Sequence, residues 1–173
     1  TMVDRGGVSM ITDGGGGLNV GYSRIQPNAG STTPSGVAIF GFRQNNVIVT
    51  EAGVPASPLL TSARIYAEVA GVVNTGLAIA NPNPAPATIQ FNFTNQAGVD
   101  IGSGSLVLGA NEQIARFLDQ APFSVPGGVF QGTFSLTSDQ PVWIIALRGF
   151  TNERAEFLIT TLPVTNLATV PGT

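Results

Sequence analysis

The 173-residue chain has no cysteine and no histidine, and all seven of its basic residues are arginine, so lysine is absent as well. Each absence closes a branch of chemistry. Without histidine or cysteine no Ser–His–Asp or Cys–His relay can be assembled, and no imidazole or thiolate can hold zinc. Without lysine no Schiff base can form. The lack of cysteine also removes any disulfide framework and leaves the redox compartment open. Charged residues make up only 10% of the chain, against about 25% in an average soluble domain. A net charge of −3 from so few ions argues against a nucleic-acid partner, which needs a dense phosphate-neutralising patch. The longest unbroken apolar run is Val142–Leu147, far short of the roughly 18 residues of a membrane-spanning helix. No membrane span is expected. No basic segment followed by an apolar stretch opens the sequence, so any secretory signal is expected to have been removed.

What is abundant is turn and strand material. Twenty-two glycines and twelve prolines, with many Thr, Asn and Val, describe short strands joined by turns. The length fits one domain with an appendage. A surface poor in charge and rich in Asn, Gln, Ser and Thr suits a secreted, cell-surface or assembled protein.

Strand signals recur every 8–12 residues or so, the spacing of an all-β sandwich. Val20–Ile25 alternates loosely. Val37–Phe42 is apolar at every position but Gly41, so it reads as covered on both faces, by its own domain or by another subunit. Gln44-Asn45-Asn46 is a turn, and Val47–Thr50 returns from it. Ala63–Ala70 alternates, with Ile65, Ala67 and Val69 inward and Arg64, Tyr66 and Glu68 outward. Leu77–Ala80 leads into Asn81-Pro82-Asn83-Pro84-Ala85-Pro86, whose prolines bar it from a strand interior. Thr88–Thr94 is the clearest half-buried strand, and Leu106–Leu108 follows a turn at Gln96-Ala97-Gly98. Only Glu112–Gln120 suggests a helix, since Ile114, Phe117 and Leu118 share a helical face. At nine residues it would be two turns at most.

Residues 1–17 stand apart. Val3, Val8, Met10 and Ile11 precede the run Gly14, Gly15, Gly16, Gly17, which reads as a flexible linker. Two readings fit residues 1–12: an edge strand or loose tail of their own domain, or a strand able to leave it and pair with a neighbour. Ten extended residues reach about 33 Å, the length of a whole sheet edge.

Residues 18–173 then form the sandwich, in which two stretches look alike. Gly36–Arg43 parallels Pro141–Arg148; each follows a strand beginning with glycine, and each precedes an apolar strand closing on Val54-Pro55 or Leu162-Pro163. The units 21–55 and 132–163 read as related three-strand elements, or as a coincidence of generic strand patterns. Arg43 and Glu51, like Arg148 and Glu156, are expected to face one another across a hairpin as strand-end ion pairs.

Four short motifs occur in order: Gly76–Pro82, Gly109–Gln113 with Ala115–Leu118, Pro141–Arg148, and Thr160–Val164. Together they resemble a β-sandwich module recurrent in large secreted bacterial surface proteins, over roughly residues 18–165. The resemblance implies an extracellular β-sandwich. No established activity belongs to that module, so it carries no functional residues over, and residues 1–17 lie outside it.

The remaining route to acid–base chemistry is a carboxylate pair, but Glu51, Glu68, Asp100, Glu112, Asp119, Asp139, Glu153 and Glu156 are scattered and read as solvated surface acids. No Asp-x-Asp spacing marks a calcium loop, leaving only a site built from loop carbonyls. Gly102-Ser103-Gly104 lacks the rest of a dinucleotide loop and reads as part of a strand turn. Asn92-Phe93-Thr94 is a formal glycosylation sequon within a strand, read as incidental. Trp143, in the most apolar strand, is expected in the core. Tyr66, outward on its strand, is the better candidate for stacking on a sugar.

The expected fold is an all-β, single antiparallel β-sandwich of immunoglobulin-like or Greek-key type. It carries an N-terminal extension strand and at most one short helix near 112–120. The expected function is non-catalytic, with no metal or other cofactor: a secreted structural subunit that self-assembles with copies of itself into a fibre or surface layer by N-terminal strand donation. The alternative is a carbohydrate-binding, adhesive module that takes a polysaccharide through Tyr66.

Overall fold

A computed structural model describes residues 2, 5–12, 15, 17 and 20–169. Turn-forming residues divide them into ten strands: β1 (Val37–Gln44), β2 (Val47–Pro55), β3 (Leu59–Ala70), β4 (Val73–Ala80), β5 (Ala87–Asn95), β6 (Asp100–Leu108), β7 (Gln113–Phe117), β8 (Phe130–Thr151), β9 (Phe157–Leu162) and β10 (Thr165–Asn166). One 3₁₀ turn, Leu167–Thr169, is the only helical element among the described residues.

The 22-residue β8 organises the molecule. Its first half lies between β3 and β5, and its second half pairs with β4 and β9. β6 extends one sheet beyond β5, and β7 extends the other beyond β4. The hairpin joining β3 to β4 links the two sheets again at Val69–Asn74. The antiparallel sheets thus curl into a sandwich-like half-barrel, and the fold is all-β. Alternation decides which face is inward. Ile65 and Ala67, Ile89, Phe91 and Phe93, and Val142, Ile144 and Ala146 line the core. Phe134 is the aromatic centre: Phe91 stacks on it at 5.3 Å, while Phe93 and Phe123 meet it edge-on at 5.2 and 5.5 Å, the arrangements that aromatic quadrupoles favour. Gly104 lies opposite Phe91, and a Cβ there would come within 2.6 Å of the ring. Cross-strand packing of the phenyl group therefore requires glycine at this position.

At the end of the sandwich where β8 crosses between sheets, Asn81 is fully buried. Its Nδ2 lies within hydrogen-bond distance of the carbonyls of Ala85 (2.9 Å), Leu108 (3.1 Å) and Gly109 (2.9 Å). Its Oδ1 accepts from the backbone N–H and side-chain amide of Asn83, which also donates to the Pro141 carbonyl at 2.8 Å. One side chain thereby ties the β4–β5 loop to the β6–β7 turn and, through Asn83, to β8.

β1 and β2 form a separate two-stranded sheet. Asn45 and Asn46 both take positive φ, 49° and 64°, the type I′ geometry whose twist matches a hairpin and which asparagine tolerates.

Several expectations change. Residues 113–117 form a strand, because pairing with β4 outweighs the helical spacing of Ile114, Phe117 and Leu118. Residues 20–25 adopt no regular structure, and 132–138 and 141–148 belong to one continuous strand, so the units 21–55 and 132–163 are not equivalent. Val142–Leu147 buries one face and half-buries the other. Trp143 sits half-buried outside the core, with the Tyr22 ring 5.7 Å away. Gly102–Gly104 lies inside β6 rather than in a turn.

Asn81→Ala is expected to destabilise the fold by about 3 kcal/mol, since each buried polar group left unpaired costs roughly 1–3 kcal/mol. Thermal unfolding should then begin about 6–12 °C lower for a chain of this size. A shift under about 2 °C would contradict the central role of this amide.

Candidate functional site

Several carboxylates are engaged in hydrogen bonds or ion pairs. Asp139 accepts from the Thr88 N–H at 2.8 Å, Glu112 closes its turn on the Gly109 N–H at 2.8 Å, and Asp100 accepts from Asn92 and Thr94. No group of three or more Asp or Glu side chains among the described residues could hold a metal ion. The two expected hairpin ion pairs do not form. The turn at Asn45-Asn46 and a bulge after Phe42 place Arg43 opposite Ile48 and Glu51 opposite Gly41. Arg148 instead lies 3.7 Å from Glu68, and Glu156 pairs with Arg154 at 2.7 Å.

Tyr66 is outward on β3, as alternation predicts, and is 42% exposed. Its hydroxyl donates to Glu68 Oε2 at 3.3 Å and accepts from Gln131 Nε2 at 2.8 Å. Glu68 also faces Arg148, whose guanidinium lies 5.6 Å from the Phe150 ring centre. Glu68 and Gln131, with Asn95, Gln96, Ala97 and Val129, border an adjoining open groove of about 420 Å³. The result is a polar outer face with the exposed Tyr66 ring and several amide groups.

A second surface has the opposite chemistry. All eight residues of β1 are exposed, including Val37, Ile39, Phe40 and Phe42, and Val47 and Ile48 across the turn are exposed too. Within this chain, then, Val37–Phe42 is covered on neither face. Only Ala52 and Val54 of the hairpin are buried. Side-chain clasps hold β2 against β9: Thr50 Oγ1 donates to the Ile159 carbonyl, and Thr161 Oγ1 to that of Gly53. The N-terminal segment adds to the apolar surface. Residues 6–12 form no strand, with Met10 93% and Ile11 94% exposed and Val8 exposed beside them. Gly15 and Gly17 also lie outside any strand. Val3, Gly14 and Gly16 lie outside the described residues.

The sequence marked Tyr66 and the N-terminal apolar residues by alternation and by the neighbouring glycines. It did not separate the exposed hairpin from a buried one, because apolarity alone does not say what covers a strand. The Gln131–Tyr66–Glu68–Arg148 network joins β3 to both halves of β8, and no local spacing signals it. No family model, curated protein or solved structure matches the chain.

One carboxylate has a displaced titration. The Asn152 amide donates to Glu156 at 2.8 Å and, with the nearby Arg154 charge, holds its carboxyl below the ordinary glutamate value, against an opposing effect of partial burial. A group with a lowered folded pKa adds stability above its unfolded pKa and loses that contribution as pH falls through the folded value. An NMR titration should place Glu156 below a model glutamate, and Asn152→Ala should move it upward. No upward movement would show that the amide is not the main cause.

Proposed function

We propose that the chain is a non-catalytic structural subunit of an extracellular assembly, in which one copy donates its N-terminal segment as a strand to the sheet of the next. The observation that carries this reading is the coexistence, in one charge-poor molecule, of an exposed apolar segment outside any strand and an exposed apolar hairpin. Isolated surface hydrophobics are ordinary, but contiguous apolar surface on a β-edge is a recognised association element. Strand addition satisfies main-chain groups on both partners and buries alternate side chains, here Val8 and Met10 on one face and Ile11 on the other. The secreted, cell-surface setting draws its support from the composition and from the resemblance to surface modules.

Deleting residues 1–12 should convert fibres, rings or layers seen by electron microscopy into soluble monomers, with the thermal unfolding of the sandwich unchanged. Assemblies that persist unaltered would overturn strand donation.

The groove beside Tyr66 favours a second reading, a polysaccharide-binding module. A partly exposed ring bonded to Glu68 and Gln131, which also border the groove with Asn95, combines a stacking face with directional hydrogen-bonding groups. On a glycan array Tyr66→Ala should abolish binding to any oligosaccharide that the native chain retains. Absence of glycan binding by the native chain would remove this reading.

A further inference from the structure

We infer that the acceptor in this assembly is the outer edge of β1 in a second copy of the chain, with residues 6–12 as the incoming strand; this rests on the strand-donation reading. The register identifies which backbone groups are available. The Ala56 N–H donates to the Gly36 carbonyl at 3.0 Å, and the ladder continues with Ala38 opposite Val54 and Phe40 opposite Ala52. Hydrogen-bonded and non-bonded pairs alternate in an antiparallel ladder. The even-numbered residues therefore direct their amides toward β2, and Val37, Ile39 and Gly41 turn N–H and C=O outward. β1 pairs with no strand other than β2 among the described residues.

The edges at β9, β7 and β6 are less suited to receive a strand. β9 is clasped by Thr50, and the Gln113 side chain at β7 donates to the Val20 carbonyl. β6 presents Gly102-Ser103-Gly104-Ser105, with Pro126 against Gly102, so an added strand would find few apolar side chains to cover. Proteins commonly protect an edge with charge, proline or a bulge. β1 carries none of these from Val37 to Phe42, and its bulge and Arg43 come only after that stretch.

The occupant follows from length, charge and pattern. Residues 6–12 extend to about 23 Å and Val37–Phe42 to about 20 Å. Neither segment holds a charged residue. Val8 and Met10 would join one face and Ile11 the other, and β1 offers apolar partners on both: Val37 and Ile39 on one side, Phe40 and Phe42 on the other. Each segment is exposed within the single chain, which leaves each available to another copy.

The absence of native cysteine permits a direct test. Chains carrying Met10→Cys or Ile11→Cys are mixed with chains carrying Ile39→Cys or Phe40→Cys and oxidised. Val107→Cys on the exposed face of β6 serves as the competing acceptor. Mixed disulfide dimers to position 39 or 40, and none to 107, are expected. Ile39→Pro removes an outward N–H without removing a β1–β2 bond, and should abolish assembly while the thermal transition of the sandwich is retained. Donor chains that cross-link to Val107→Cys instead, or assembly that survives Ile39→Pro, would overturn β1 as acceptor even where deletion of residues 1–12 still abolishes assembly. Disulfides between two Ile39→Cys chains without a donor cysteine, or closure within one doubly substituted chain, would overturn it equally. If deletion of residues 1–12 changes nothing, donation itself fails and the acceptor falls with it.

Discussion

The sandwich depends on a buried carboxamide. Asn81 sits where β4 ends, where β6 turns toward β7 and where β8 passes from one sheet to the other, and carbonyls of the first two regions converge on its nitrogen. An apolar residue there would leave the buried Leu108 carbonyl without its partner, where an unmet hydrogen bond is most costly, and would release the part-buried carbonyls of Ala85 and Gly109. The carboxamide also holds Asn83 through two hydrogen bonds. Oxygen and nitrogen of one amide are used in opposite directions, toward the Asn83 donors and toward the three carbonyls.

This gives the short motifs of the sequence a physical content. Gly76–Pro82 ends on the hub, Gly109–Gln113 wraps it through the Glu112–Gly109 turn, and Pro141 accepts from Asn83. The segments Gly76–Pro82, Gly109–Gln113 and the start of Pro141–Arg148 thus meet at one end of the sandwich, and say nothing of a ligand. That separation is general, since function resides in sites placed upon folds.

Legibility followed the range of the interactions. The alternation in β3 and β5, the outward Tyr66 and the turn at Asn45-Asn46 are local, and each could be read from a few neighbouring residues. The pairing of β7 with β4, the continuity of β8 across two sheets and the register of Arg43 are set by distant partners or a single-residue bulge. Short apolar stretches are ambiguous between helix and strand for this reason. Trp143 shows the same limit, because the most apolar strand still has an outer face. For the apolar surfaces, composition identified residues that favour burial, while exposure depended on which elements the chain had left to cover them.

The shared strand has a further consequence for how the molecule comes apart. Because β8 contributes Phe134 and Leu136 beside β3 and β5, and Ile144 and Ala146 beside β4, all within one core cluster, neither half can be lost while the other keeps its packing, and the core is expected to unfold as a single cooperative unit. The β1–β2 hairpin is different. It contributes Ala52 and Val54 as its only buried side chains, so its amides can exchange with solvent through local opening, well below the free energy of global unfolding. Two levels of protection are expected in one chain: a core that opens all at once, and a shallow hairpin that opens by itself.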